Sequence, residues 1–101
     1  MIFAELHYDQ HYGELHAPLV ELLGSSFQDM EHGLQGDSWI WVFEDGEKVA
    51  VDTFSSMKHQ VKADASSTGL AEKVIGILST RYQVSVFPVP ELEPHEEEEH
   101  E

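Results

Sequence analysis

The segment "HYDQHYGELH" contains the side chains with the clearest capacity for chemistry. If the first strand continues through it, His7, Asp9 and His11 point to one side at two-residue spacing, with Glu14 and His16 near by. Two imidazoles and a carboxylate can bind a divalent transition metal and leave one position open for a water molecule, which the ion would activate. The pattern gives the alternative to a non-enzymatic function: a metal site at His7, Asp9 and His11 and, with it, a metal-dependent enzyme.

A solvated strand end is the competing interpretation of the same segment. Gly13 interrupts the spacing, and the chain has neither cysteine nor a helical H-E-x-x-H motif. Elsewhere, His59 falls on the inward side of its strand, which predicts a buried neutral imidazole with a hydrogen-bond partner. The serines lie outside any G-x-S-x-G elbow, and no phosphate-binding glycine motif is present. No motif therefore specifies a reaction, and we predict no cofactor.

The stretch "SWIWVFEDGEKVAVDTF" predicts a β-hairpin whose loop length decides which side of the aromatic strand is buried. A two-residue loop at Asp45 and Gly46 puts the aromatic side chains on a polar face with the lysine and aspartate of the next strand. A three-residue loop that includes Glu44 instead sets Trp39 and Trp41 beside the valines of that strand. Burying such large groups together is worth about 2 kcal/mol per side chain. The second register is therefore favoured, and it makes the tryptophans core residues.

The elements that would position these groups are read from hydrophobic spacing. "MIFAELHY" alternates as a strand, and a helix is expected from near Ala17 to Gly24, with Pro18 in its first turn. Residues 25–37 are predicted to be a connection. After the hairpin, "SSMKHQVKAD" alternates as a third strand of a meander. A helix capped by Ser67 or Thr68 follows, and then a strand "QVSVFPV" that Pro88 and Pro90 stop.

The resulting order is β-α-β-β-β-α-β. It predicts an α+β fold with a mainly antiparallel sheet and two helices on one face, a variant of the ferredoxin-like plan. Residues 1–90 are expected to form one compact domain. Residues 91–101, a run rich in glutamate, are expected to be a disordered acidic tail.

Charge is the strongest compositional signal. The net charge is −15, or −8 without residues 91–101, and no lysine or arginine precedes Lys48. Such a surface repels phosphate backbones and anionic lipids, so neither nucleic acid nor membrane is an expected partner. Lys58, Gln60 and Lys62 form the one basic stripe. It is interpreted as a solvated strand face, and pairing with an acidic segment such as the tail is the alternative. Acidity that only aids solubility is the alternative explanation of the charge.

A basic protein partner fits this charge best, and the expected contact residues are five carboxylates of the N-terminal half. These residues are Glu14, Glu21, Asp29, Glu31 and Asp37. The sequence predicts a non-enzymatic binding module of the cytoplasm, either an inhibitor or immunity-type protein whose carboxylates imitate a phosphate backbone, or a chaperone. In size, acidity and mixed α/β order the chain resembles the small dimeric chaperones of secreted effectors, which implies a possible homodimer.

Overall fold

The computed structural model describes residues 1–93. It is an α+β fold in which one six-stranded sheet, antiparallel at every pairing, carries both helices on one face. The strands are β1 Ile2–His7, β2 Asp29–Gln35, β3 Asp37–Glu44, β4 Glu47–Asp52, β5 Gln60–Lys62 and β6 Gln83–Glu91. The helices are α1 Tyr12–Gly24 and α2 Thr68–Leu78, the second preceded by a 3-10 turn at Ala65–Ser67.

The sheet order β2-β3-β4-β5-β1-β6 places the N-terminal strand between the two strands that flank α2. Helix α1 connects β1 to β2 at the far edge, and α2 connects β5 to β6. The sequence therefore forms one strand more than the predicted order, because residues 29–35, predicted to be a connection, pair with β3 along their whole length. No helix among residues 1–93 is long and apolar enough to cross a membrane.

The core lies between the helices and one face of the sheet. Alternate residues of the hairpin, Ile40 and Val42 on β3 with Val49 and Val51 on β4, are fully buried beneath the leucines of α1 and α2. At about 2 kcal/mol for each buried aliphatic side chain, this layer supplies a large share of the hydrophobic stabilisation. Within residues 1–93 no helix packs on the opposite face of the sheet, which we call the open face.

Helix α1 begins five residues before the predicted start at Ala17. The backbone N–H of His11 donates to the Glu14 carboxylate at 3.1 Å, and the His11 side chain accepts from the Gly13 N–H at 3.1 Å, so the two residues form a capping box. Pro18 consequently lies inside the helix rather than in its first turn. An interior proline costs about 3 kcal/mol, which the burial of Leu15, Leu19 and Leu23 offsets.

The predicted hairpin register was wrong. The loop is the two-residue turn of Asp45 and Gly46, with φ values of 52° and 81°, so that Trp41 pairs with Ala50 and Phe43 with Lys48. Two successive positive φ values are the signature of a type I′ turn, whose twist matches that of the strands. The aliphatic residues therefore occupy the helix face, and the aromatic side chains lie half-buried on the open face.

Smaller differences concern the ends of strands. A bulge between Ile2 and Ala4 interrupts the predicted alternation of β1, so that Phe3 joins the core cluster. Strand β5 is limited to Gln60–Lys62, while Met57 is exposed. Strand β6 runs through both prolines to Glu91, because an edge strand can leave those positions unpaired. The predicted tail boundary therefore falls within β6, and residues 94–101 lie outside the described residues.

Substituting Gly46→Ala tests the turn. Gly46 has nothing within 4 Å of an added Cβ, so any loss of stability reports the cost of the positive φ and not a steric clash. We expect the free energy of unfolding in urea to fall by about 1 kcal/mol. The matched control is Gly76→Ala in α2, which is equally uncrowded but helical and should gain about 0.5–1 kcal/mol. Equal effects of the two substitutions would contradict the turn assignment.

Candidate partner-binding face

The open face carries an aromatic row, which we define as Trp39, Trp41 and Phe43. The Trp39 and Trp41 ring centroids lie 4.6 Å apart with planes inclined by 42°. The Lys48 ammonium lies 3.9 Å from the centroid of the Trp41 ring and 5.9 Å from that of Phe43, close enough for a cation–π contact with Trp41. The row is therefore a half-buried surface whose rings already accept a cation.

Strand β2 borders the aromatic row with two carboxylates. Asp29 pairs with Phe43 and Glu31 with Trp41 in the β2–β3 ladder. Directly opposed residues of antiparallel strands share a face, so both carboxylates project to the open side beside the rings. We call Asp29 and Glu31 the acidic edge. Neither forms an ion pair within residues 1–93.

The end of the hairpin adds a depression to this surface, which we call the hairpin pocket. Its volume is about 380 Å³. It is lined by Ser26, Gln28, Asp29, Phe43, Glu44 and Asp45. Glu44 is paired with Lys73 at 2.8 Å, whereas Asp29 and Asp45 have no cationic partner in the part of the chain that the structure describes. A pocket with free carboxylates and an aromatic ring suits a lysine or arginine head group.

The basic stripe is divided between two environments. The Lys62 ammonium is buried and lies 2.6 Å from Asp52 and 3.1 Å from Glu93, so the interpretation as a solvated face was wrong for this residue. The alternative interpretation, pairing with the acidic C-terminal segment, describes the ion pair between Lys62 and Glu93. Burial raises the pKa of Asp52, against the opposing effect of Lys62. Lys58 instead lies 4.5 Å from the centroid of the Tyr8 ring.

The predicted contact carboxylates do not form one surface. Asp29 and Glu31 lie on the open face, while Glu14 and Glu21 are exposed on α1, which covers the opposite face. Glu14 is also engaged in the helix cap. Asp37 is half-buried at the start of β3 and accepts a hydrogen bond from the Thr53 hydroxyl at 3.3 Å. Of the five, Asp29 and Glu31 are therefore the two that are exposed on the open face.

The predicted metal ligands do not converge. The His7 ring hydrogen-bonds Ser85 on β6, the His11 ring caps α1, and Asp9 is exposed between the two elements. Among residues 1–93 no group of three histidine or acidic side chains is placed to hold a metal ion. The predicted metal site therefore has no counterpart in the arrangement of these side chains.

A second cluster of reactive residue types lies in the core. Tyr8 Oη is 2.8 Å from His59 Nδ1, and Ser38 Oγ is 2.7 Å from both His59 Nε2 and His16 Nδ1. His16 Nε2 continues the chain to His32 at 3.2 Å. If the tyrosine hydroxyl donates to His59, one donor and one acceptor on each neutral imidazole satisfy every link.

This polar chain stabilises the core instead of presenting a nucleophile. Ser38 and His59 are 0% exposed, so no substrate can reach the hydroxyl. The prediction of a buried, hydrogen-bonded His59 is confirmed. Sequence spacing could not identify His16, Ser38 and Tyr8 as its neighbours, because they come from α1, β3 and the end of β1.

The chain matches no protein-family model, no curated protein and no solved structure.

Acid should destabilise the fold through His59. Burial, together with the nearby His16, lowers the pKa of His59 from 6.5 to about 4, so below pH 6.5 the unfolded chain binds this proton more readily. The contribution of neutral His59 to the free energy of unfolding should be fully present above pH 6.5. It should fall by about 3 kcal/mol as the pH drops to 4. Urea unfolding between pH 4 and pH 7 measures this change in the free energy of unfolding, and an NMR titration gives the His59 pKa directly. His59→Gln should be less stable at neutral pH and lose less on acidification, and an unchanged slope would contradict the assignment.

Gly33 provides a test of the aromatic row. A Cβ at this position would lie 2.6–2.7 Å from three atoms of the Trp39 indole. Gly33→Ala should therefore displace that ring from Trp41, weaken their exciton couplet in far-UV circular dichroism and cost about 1–3 kcal/mol. The control is again Gly76→Ala, which should leave the couplet unchanged. A retained couplet in Gly33→Ala would show that the rings do not stack as described.

Proposed function

We propose that the protein is a non-enzymatic module that binds a basic protein partner through the aromatic row, the acidic edge and the hairpin pocket. The observation that carries the proposal is the position of Asp29, Glu31 and Asp45, which lie beside half-exposed aromatic rings and have no ion pair within residues 1–93. Aromatic side chains supply contact area in protein interfaces, and uncompensated carboxylates steer a cationic partner and select it.

The charge of this surface argues against nucleic acid as the ligand. Aromatic residues on an open sheet face can stack with bases, and Lys48 lies among them. However, Asp29 and Glu31 border the same rings, and the chain carries a net charge of −15. A phosphate backbone would be repelled where a lysine-rich or arginine-rich protein surface would be attracted.

An inhibitor or immunity-type protein and a chaperone are the two biological forms of this proposal. Both would use an acidic face to engage a basic client in the cytoplasm, and the chaperone form would add a homodimer. The likeness to a ferredoxin-like plan is also part of the proposal. It is supported by α2, which connects the parallel strands β5 and β6 on either side of the antiparallel strand β1, while α1 connects the parallel strands β1 and β2 across three intervening strands.

A pull-down with charge variants tests the proposal. Immobilised wild-type protein, Glu31→Lys and Glu72→Lys are exposed to lysate of the source organism at low and high salt. Glu72 is exposed on α2, away from the open face, so its variant makes the same charge change at a distant site. We expect one basic protein on the wild type and on Glu72→Lys at low salt, and its loss on Glu31→Lys.

The purified partner then allows a quantitative measurement. Its association rate constant should fall about tenfold for Glu31→Lys and should fall with added salt for the wild type. Association that does not depend on salt, or that responds equally to the two variants, would exclude the open face as an electrostatic binding site.

A further inference from the structure

The six-stranded sheet ends in two edges of different character. At one edge, β6 contains Pro88 and Pro90, which lack backbone N–H groups, and its register with β1 shifts near the bulge. At the other edge, β2 pairs with β3 at seven consecutive positions without a shift and contains no proline and no lysine. Proteins normally protect long flat edges with these features or with a covering element. The β6 edge is protected, whereas the β2 edge can accept another strand.

The outer side of β2 is unoccupied within residues 1–93. Its backbone hydrogen bonds are confined to the ladder with β3. Along an edge strand, alternate residues direct both their N–H and C=O groups towards the neighbouring strand, so the groups of the other residues point away from the sheet. The contact of α1 with β2, which includes the hydrogen bond between His16 and His32, is on the helix face and leaves this edge open.

The side chains of β2 define what an added strand must carry. On the open face, Asp29 and Glu31 would lie beside the alternate residues of the newcomer. On the helix face its other residues would lie beside Met30, His32 and Leu34, of which Leu34 is 50% exposed. Because cross-strand neighbours interact by charge and by apolar contact, the matching segment alternates basic and apolar residues.

We propose that the β2 edge binds an extended segment of the basic partner as a seventh strand, with lysine or arginine on the open face and apolar residues on the helix face. This inference rests on the proposed function and names the form of the partner. Strand addition supplies affinity from main-chain hydrogen bonds, and alternate side chains supply specificity.

A second copy of the chain fits this edge less well. It would bring another acidic edge and a second net charge of −15 to the same place, and like charges across strands are destabilising. Charge complementarity therefore selects a basic segment over self-association.

The test uses the full chain and a synthetic peptide of the same length as β2 that alternates lysine and valine. Two further peptides carry N-methyl groups on the lysine amides alone or on the valine amides alone. In an added strand only one of these two sets of amides faces β2. We therefore expect one methylated peptide to lose at least about tenfold in affinity, while the other binds like the parent. Hydrogen exchange should show new protection of β2 amides with the parent peptide.

A charge exchange provides the matched variant. The double substitution Asp29→Lys and Glu31→Lys should weaken the lysine peptide and strengthen a glutamate–valine peptide, while the Glu72→Lys control leaves both affinities unchanged. Equal binding of the two methylated peptides would overturn strand addition yet leave the electrostatic proposal standing. The proposed function itself fails if Glu31→Lys does not slow association of the partner.

Two other results would also overturn the inference. One is the absence of binding by the lysine–valine peptide at low salt. The other is protection of β2 amides in peptide-free protein that increases with protein concentration, which would assign the edge to a second copy.

Discussion

The left-handed turn at Asp45 and Gly46 sets the relation between the two strands on which the sheet is built. With only these two residues in the loop, Val42 lies opposite Val49 and Ile40 opposite Val51. These four aliphatic side chains form the surface on which both helices pack. Adding one residue to the loop would shift the pairing by one position and turn every side chain of one strand to the opposite face. The position of the helices, the core and the exposed aromatic row all depend on this turn.

The aromatic side chains tolerate the open face because they shield one another. Trp39 lies against the backbone of Gly33, where no side chain could fit, and stacks on Trp41. Lys48 covers the other ring with its ammonium group. Hydrophobic burial favours the three-residue loop only if the rings on the open face are fully exposed, whereas these contacts remove much of the rings from water without a covering helix.

Elements with strong periodicity were predictable from the sequence, and elements without a buried face were not. The spacing of Leu70, Val74 and Leu78 predicted α2, and the alternation around His59 predicted its burial. Strand β2 gave no such signal, since an edge strand with Asp29, Glu31 and a glycine has little apolar pattern. The site was predictable only in part. The charge pattern pointed to Asp29 and Glu31 among other carboxylates, but their position beside the aromatic rings depends on the two-residue turn at Asp45 and Gly46. The Asp-Gly dipeptide, a strong hairpin signal, was the available clue.

The few cations of the chain are largely used internally. Lys62 is buried between two carboxylates, Lys73 pairs with Glu44, and Lys48 lies on an indole. Consequently, none of these three lysines neutralises the acidic edge.

The position of β1 determines when the chain can fold. Its neighbours are β5 and β6, and Ile2 pairs with both Lys62 and Glu91. The first strand of the fold therefore needs the last strand for its full set of ladder hydrogen bonds. Such distant pairing carries a high loop-closure entropy and slows folding. During synthesis β1 cannot form its full pairing until β6 has left the ribosome. Its apolar residues stay open to chaperones or to wrong pairing throughout that time.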